Sequence, residues 1–477
     1  MISRTIRLSC LFALAAIAAF GPGRAVHAAQ QPNLLFVFAD DQAFDTIAAM
    51  GNEEIETPNL DRLARRGVTF SRAYNQGGWH GAVCVASRTM LNTGRYLWHA
   101  RDDEPRLKDH YQAKGLMWSQ ILAKAGYETF FTGKWHVKAD ADKVFQTARH
   151  VRGGMPKQTP EGYNRPIPGK EDVWRPWDTS KGGFWEGGKH WSEVVGDDAI
   201  DYLTQASQTE RPFFMYLAFN APHDPRQSPK EYVDKYPLEK ISLPQPFQEE
   251  YPLNIGANRI RDEQLAPFPR TEYAVKVNRQ EYYAIITHMD AQIGRILDKL
   301  EETGQADNTY IFFTADHGLA CGHHGLMGKQ NMHDHSVRVP FMVVGPKVPA
   351  DKRIDTPIYL QDVMPTTLQL AGVEQPEHVE FHSLLPILGG ESEGAYDSVY
   401  GAYVDVQRMV TVGDDKLIVY PKIGKVLLYD LGDDPLETNN LADTPAGKKK
   451  VAKLLSELKS WQAKVGDALE IDASKLR

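Results

Sequence analysis

Asn33-Leu-Leu-Phe-Val-Phe-Ala39 runs straight into Asp40-Asp41, and the fold is read from this stretch. An apolar run with no polar alternation predicts a strand buried on both faces, the habit of a parallel sheet. Three further runs end the same way. Tyr127–Thr132 leads into Gly133-Lys134-Trp135-His136, Pro212–Phe219 into Asn220-Ala221-Pro222-His223, and Thr309–Phe313 into Thr314-Ala315-Asp316-His317. Helical patterns fall between them. Thr57-Pro58 caps and starts one that stops at Gly67, and Leu116–Ala125 makes a second. Glu281–Thr303 is a longer one, with Ile286, Met289, Ile293, Leu297 and Leu300 on one stripe. The alternation predicts an α/β domain, a mostly parallel central sheet flanked by helices. Ligands of such sheets sit beyond the carboxyl ends of the strands. All four runs deliver their polar residues there.

From Ser398 the texture changes to short β-rich segments, Val399–Tyr403, Arg408–Val412, Lys416–Tyr420 and Val426–Tyr429. They predict a small antiparallel sheet, with the Lys-rich amphipathic helix Gly447–Val465 packed on it. The expected division is therefore a signal peptide over 1–29, a catalytic domain over 30–395 and a C-terminal subdomain over 396–477. The signal peptide is read from Arg4 and Arg7, the apolar stretch Leu11–Phe20 and the small-residue site Val26-His27-Ala28. The apolar stretch is too short for a membrane span, and no later segment is long and apolar enough for one. An exported protein, periplasmic or secreted, is expected.

Losing residues 1–29 removes three arginines and no acid, which moves the formal charge from −8 to −11. That balance argues against a nucleic-acid partner. An anionic substrate must then be drawn by a local cationic pocket. Beyond Cys10 only Cys84 and Cys321 remain. Either they pair in an oxidising compartment, or Cys84 is kept for chemistry.

Cys84 opens a predicted helix in Ala82-Val-Cys-Val-Ala-Ser-Arg88, and Arg88 follows one turn later on the same face. A helix N-terminus favours negative charge, so nucleophile and cation together suit attack on an anionic ester. Asp40-Asp41 either caps a turn or converges with Asp316 on a cation, for which hard oxygens select Ca²⁺ or Mg²⁺. His317 would complete such a shell. Lys134, His136, His223 and Lys329 each have a bland reading alone. With Arg88 they make five donors around one metal and one nucleophile, a lining for a tetrahedral anion. The segments 150–192 and 224–275 are long and Pro/Gly-rich. The first holds Trp174, Trp177, Trp185 and Trp191, which either stack on sugar rings or pin the loop.

Asp40-Asp41, Cys84-Val-Ala-Ser-Arg88, Gly133-Lys134-Trp-His136, Ala221-Pro-His223, Thr314-Ala-Asp316-His317-Gly318 and Gly328-Lys329 stand in one order along the chain. With Leu428-Tyr-Asp-Leu431, Asp434-Pro435 and Asn439-Asn-Leu441, the whole resembles the formylglycine-dependent sulfatases of the alkaline phosphatase superfamily, bacterial carbohydrate sulfatases in particular. The resemblance implies an alkaline-phosphatase-like fold and conversion of Cys84 to formylglycine by a maturase. One hydroxyl of the aldehyde hydrate attacks sulfur, and the other later expels sulfate. It further implies Ca²⁺ held by Asp40, Asp41, Asp316, His317 and residue 84, with Arg88 anchoring the formylglycine. Lys134 and Lys329 would bind sulfate, His136 assist the diol and His223 protonate the leaving oxygen and bind substrate. Many relatives carry Asn where His317 stands. Ala86 replaces the commoner Pro, a variant compatible with anaerobic-type maturation. A sulfated carbohydrate is the expected substrate. A phosphonate or phosphodiester hydrolase on the same scaffold, and a non-catalytic binder of sulfated glycans, are the alternatives. His323, His324, His333 and His335 crowd the segment after Asp316, some of them expected at the pocket, while His288 is read as structural.

Overall fold

The computed structural model describes residues 31–154, 159–185, 188–224 and 226–477. The signal-peptide reading of 1–29 lies outside them. Pro32–Arg477 forms one compact unit.

Fourteen strands occur among the described residues. They are β1 (Asn33–Ala39), β2 (Val68–Tyr74), β3 (Gly77–Gly78), β4 (Glu128–Lys134), β5 (Thr147–Arg152), β6 (Phe213–Ala218), β7 (Thr309–Ala315), β8 (Arg338–Val344), β9 (Lys352–Ile354), β10 (Ile358–Tyr359), β11 (Ser398–Tyr403), β12 (Gln407–Val412), β13 (Asp415–Tyr420) and β14 (Lys425–Asp430). The large sheet runs β10-β2-β8-β7-β1-β6-β4-β5, with β9 also on β2. β1 lies at its centre, parallel to β6 and β7, and every residue of it is buried. Only β8 runs against its neighbours. The four apolar runs are thus β1, β4, β6 and β7, all pointing one way, as the two-face burial of their sequences demands.

Helices cover the sheet. Glu272–Glu302 begins nine residues before the expected start, because the Thr271 hydroxyl accepts from the Ala274 N–H and caps it there. Pro58–Arg66 follows Thr57 as expected, yet the Thr57 hydroxyl gives no cap. It is taken instead by the Ala48 N–H and by Asp61 Oδ1.

The smaller sheet has the order β14-β13-β12-β11-β3. Its four C-terminal strands are antiparallel and match the expected segments to within two residues; Pro445–Val465 is the helix packed against β12 and β13. The fifth strand, Gly77-Gly78, pairs parallel with β11. Gly77 has φ +92, and a Cβ there would meet the Ala402 carbonyl oxygen at 2.1 Å, so only glycine permits this approach. The pairing braces the turn that leads into the helix Val83–Thr93.

Candidate active site

Parallel direction carries the ends of β1, β4, β6 and β7 to one edge. Beyond β1 the Asp40 N–H donates to the Ala221 carbonyl (3.0 Å), and beyond β7 the Asp316 N–H donates to the Ala39 carbonyl (3.2 Å). Asp41 turns sharply, with φ 67, and its N–H donates to Asp316 Oδ1 (3.0 Å). Backbone bonds thus fix three acids that are far apart in sequence.

The helix Val83–Thr93 starts where the sequence predicts, and all eleven of its residues are buried. Cys84 and Arg88 share its inner face. Cys84 Sγ lies 3.5 Å from Asp40 Oδ1, 3.8 Å from Asp41 Oδ1 and 3.5 Å from Lys329 Nζ. Arg88 Nε donates to Asp316 Oδ2 (3.0 Å) and Nη1 to the Lys134 carbonyl (2.6 Å), while Nη2 lies 3.8 Å from Asp40. Cys84 and Cys321 are both free, so the disulfide alternative does not occur.

Each acid has a cation. Lys134 Nζ sits on Asp40 Oδ2, Lys329 Nζ on Asp41 Oδ2, and Arg88 on Asp316. Burial works to raise the Asp316 carboxyl, but Arg88 and Lys134 outweigh it and hold it well below the usual range. At Asp41 burial wins over His223 and Lys329 and pushes the carboxyl up to about 6. Burial also drives the Cys84 thiol well up, so the helix N-terminus and lysines do not make it a ready thiolate.

His223 Nε2 faces Asp41 Oδ2 at 3.4 Å. Burial opposes its protonation, yet Asp41 overcomes this and raises its pKa. His136, held at φ 51, is lowered to about 2 by burial and by Lys134, and its Nδ1 has no hydrogen-bond partner. His317 is buried, lowered to about 4 by burial, and its ring lies against Asn75 Nδ2. Among the described residues, one group of His, Cys and acidic side chains has ligand atoms all within 4.8 Å of one another: Asp40, Asp41, Cys84 and His223. Asp316 and His317 stand beside it.

A cavity of about 410 Å³ opens over this group, with Cys84, His136, His223 and Lys329 at its floor and Arg261 and Asp262 on its wall. Lys134 lies behind, with no exposed surface. Three residues that sequence reasoning missed complete the site. Asp224 lies 3.0 Å from His223 Nδ1, Asp262 lies 3.9 Å from Lys329 Nζ, and Arg261 bonds Asp262. Asp224 directly follows a motif histidine, a signal that was present. Asp262 and Arg261 sit in a long loop with none.

Two of the four tryptophans read as either stacking on sugar or pinning the loop are core residues. Trp174 and Trp191 are 3% and 2% exposed, with Arg152 over the Trp191 ring at 3.8 Å. They pin the loop. The four crowded histidines stack away from the Cys84 cavity, His324 on His333 at 4.2 Å, against β14 through Tyr429. His288 packs on His190 at 4.5 Å, as a structural residue.

Residues 32–373 match the family described as Sulfatase, and residues 322–464 match the one described as N-sulphoglucosamine sulphohydrolase, C-terminal. The chain is 29% identical over 465 residues to an arylsulfatase of Clostridium perfringens, covering 88% of this chain and 92% of that protein. It is 25% identical over 519 residues to an N-acetylglucosamine-6-O-sulfatase of Bacteroides thetaiotaomicron, covering 92% and 87%. A solved structure in complex with its substrate D-glucosamine-2-N,6-O-disulfate superposes with a TM-score of 0.71 at 23% identity, over 92% of this chain and 99% of that one. A phosphonate monoester hydrolase from Silicibacter pomeroyi superposes equally, with a TM-score of 0.71 at 20% identity over 92% and 96%. At those identities the two structures establish the shared fold alone. The Sulfatase match itself spans well over half the sequence, and the chain belongs to the sulfatase family of sulfuric ester hydrolases.

Proposed function

We propose that the protein hydrolyses a sulfate monoester on a carbohydrate, using a formylglycine made from Cys84 and a bound Ca²⁺. The observation that carries the reading is the convergence of Asp40, Asp41, Cys84 and His223 within 4.8 Å, backed by Asp316 and by two buried lysines.

The donor set fits a hard divalent cation, because buried carboxylates otherwise need counter-charges. Here Lys134 and Lys329 serve as those counter-charges. A cation among the acids would release both ammonium groups to the substrate, and this supports Ca²⁺ held by Asp40, Asp41, Asp316 and residue 84, with His317 close by. When bound, the cation supplies positive charge opposite the ester oxygens. The aldehyde hydrate at position 84 supplies the oxygen nucleophile. Arg88 anchors that residue through its helix face, Lys134 and Lys329 hold sulfate oxygens, and His136 assists the hydrate. His223 donates a proton to the leaving oxygen. Each such donor typically contributes about 2.7–4 kcal/mol to transition-state stabilisation.

Cys84 is only 2% exposed, which favours a maturase acting before the fold closes over it. A carbohydrate is favoured by the N-acetylglucosamine-6-O-sulfatase relative and by a cavity of about 410 Å³, within the usual range for small-ligand sites. Export to the periplasm or beyond rests on residues 1–29; among the described residues no helix is long and apolar enough to cross a membrane.

The test uses protein co-produced with a formylglycine-generating maturase. The tryptic peptide Ala73–Arg88 should carry the aldehyde mass, and turnover of an aryl sulfate should exceed that of an aryl phosphate diester. An unmodified thiol in active protein overturns the nucleophile. A strong preference for the diester overturns the substrate and leaves the phosphonate or phosphodiester reading.

A further inference from the structure

His223 is gripped from the side opposite the nucleophile. Its Nδ1 lies 2.8 Å from the Asp224 carbonyl oxygen and 3.0 Å from Asp224 Oδ1, both acceptors. Nδ1 must therefore carry a hydrogen, which leaves Nε2 as the atom aimed at Asp41 and the cavity floor. The Asp224 carboxylate is itself immobilised. The Tyr163 hydroxyl donates to its Oδ2 at 2.6 Å, and Arg261 Nη2 stands 3.6 Å from its Oδ1. Asp224 is 3% exposed and Tyr163 is 8% exposed, so the pair is shielded from bulk water. Tyr163 comes from the long segment 150–192, which places a structural duty on that loop.

We propose that Asp224, braced by Tyr163, is a positioning residue that fixes the orientation of His223, with Nε2 toward the leaving alcohol it protonates, which rests on the sulfate-ester reaction proposed for this site. In that step the S–O bond to the alcohol breaks as the attacking oxygen bonds to sulfur. The bond's electron pair stays on the bridging oxygen, which takes the Nε2 proton of the doubly protonated His223 ring and departs as the neutral alcohol. The imidazole keeps its Nδ1–H on Asp224 throughout. Without the Asp224 carboxylate the ring is free to rotate, Nε2 no longer faces the leaving oxygen, and that oxygen departs unprotonated. That loss is small for a phenol that is already a good leaving group and large for a poor one.

The test is a leaving-group series on matured enzyme, from 4-nitrophenyl sulfate to unsubstituted phenyl sulfate. Because a general acid contributes about 10²–10⁴-fold, Asp224→Asn should lower kcat about 3-fold on the nitrophenyl ester and about 100-fold on the phenyl ester. Tyr163→Phe should tilt the series in the same direction by a smaller factor. In a His223→Ala background, Asp224→Asn should add nothing, since the two act as a unit. A loss of the same size across the whole series, or full additivity with His223→Ala, overturns the positioning role. Should Asp224→Asn fail to fold, the tilt in Tyr163→Phe decides. A matured wild-type enzyme inert toward every sulfate ester strikes down the proposed reaction instead.

Discussion

Arg88 has no exposed surface, yet its guanidinium spans Asp316, the Lys134 carbonyl and the neighbourhood of Asp40, with its face over Phe38 at 4.8 Å. The planar fork reaches two elements at once, which a lysine cannot do. Breaking a buried pair by deleting one partner leaves an uncompensated charge and costs about 3–5 kcal/mol. Arg88→Ala is therefore expected to lower the unfolding free energy measured by urea titration by that amount, shifting the midpoint down, as well as to abolish turnover. An unchanged midpoint would show that Asp316 finds another partner. The sequence announced Arg88, Cys84 and the four motif groups because each stands beside a strand end or helix start. It was silent on Tyr163, Arg261 and Asp262, whose roles depend on how long loops fold back, and no periodicity encodes that.

At the scale of elements, the end of β4 shows how one residue aims another. Gly133 has φ +99, and a Cβ there would meet the Ala218 carbonyl oxygen at 1.9 Å. The pairing of β4 with β5 also slips in register between Thr132 and Gly133. Together these turn Lys134 toward Asp40. Displacement of a reacting group by about 1 Å costs on the order of 10²-fold in rate. Gly133→Ala should thus cut kcat/KM by about that factor through backbone shift alone, with Cys84 still fully converted in the peptide mass. Retained activity would mean that β6 yields instead. β8 carries Pro340 in its interior, and proline in a central strand argues against one. The structure resolves the conflict on the partner strand. Phe70 pairs with Phe341 and Ala73 with Val339, so β2 bulges opposite the proline, where no N–H is offered.

At the scale of the whole molecule, buried ions tie the two sheets together. Lys416 Nζ on β13 holds Asp334 Oδ1 at 2.6 Å and Glu437 Oε1 at 2.7 Å, and all three side chains are at most 4% exposed. Asp334 lies between the motif lysine Lys329 and β8, so the C-terminal sheet is clamped to the segment that carries the site. The class of both sheets was legible from run length and alternation. This clamp was not, since its members stand 82 and 103 positions apart in the pairs Asp334–Lys416 and Asp334–Glu437. Its acid sensitivity follows from Glu437. Burial would raise that carboxyl, but Lys416 and His333 prevail and hold it well below its ordinary value of 4.5. A depressed carboxyl contributes stability that is complete above the unfolded-state value and is lost as pH falls toward the folded-state one. Glu437→Gln removes the charge while keeping the shape, at a cost of about 1–3 kcal/mol near neutrality. The Tm gap between wild type and Glu437→Gln should therefore stay constant from pH 7 to near pH 5 and narrow below about pH 4.5. A gap that widens on acidification would mean that Glu437 is protonated in the folded protein, and that Asp334 alone carries the charge of Lys416.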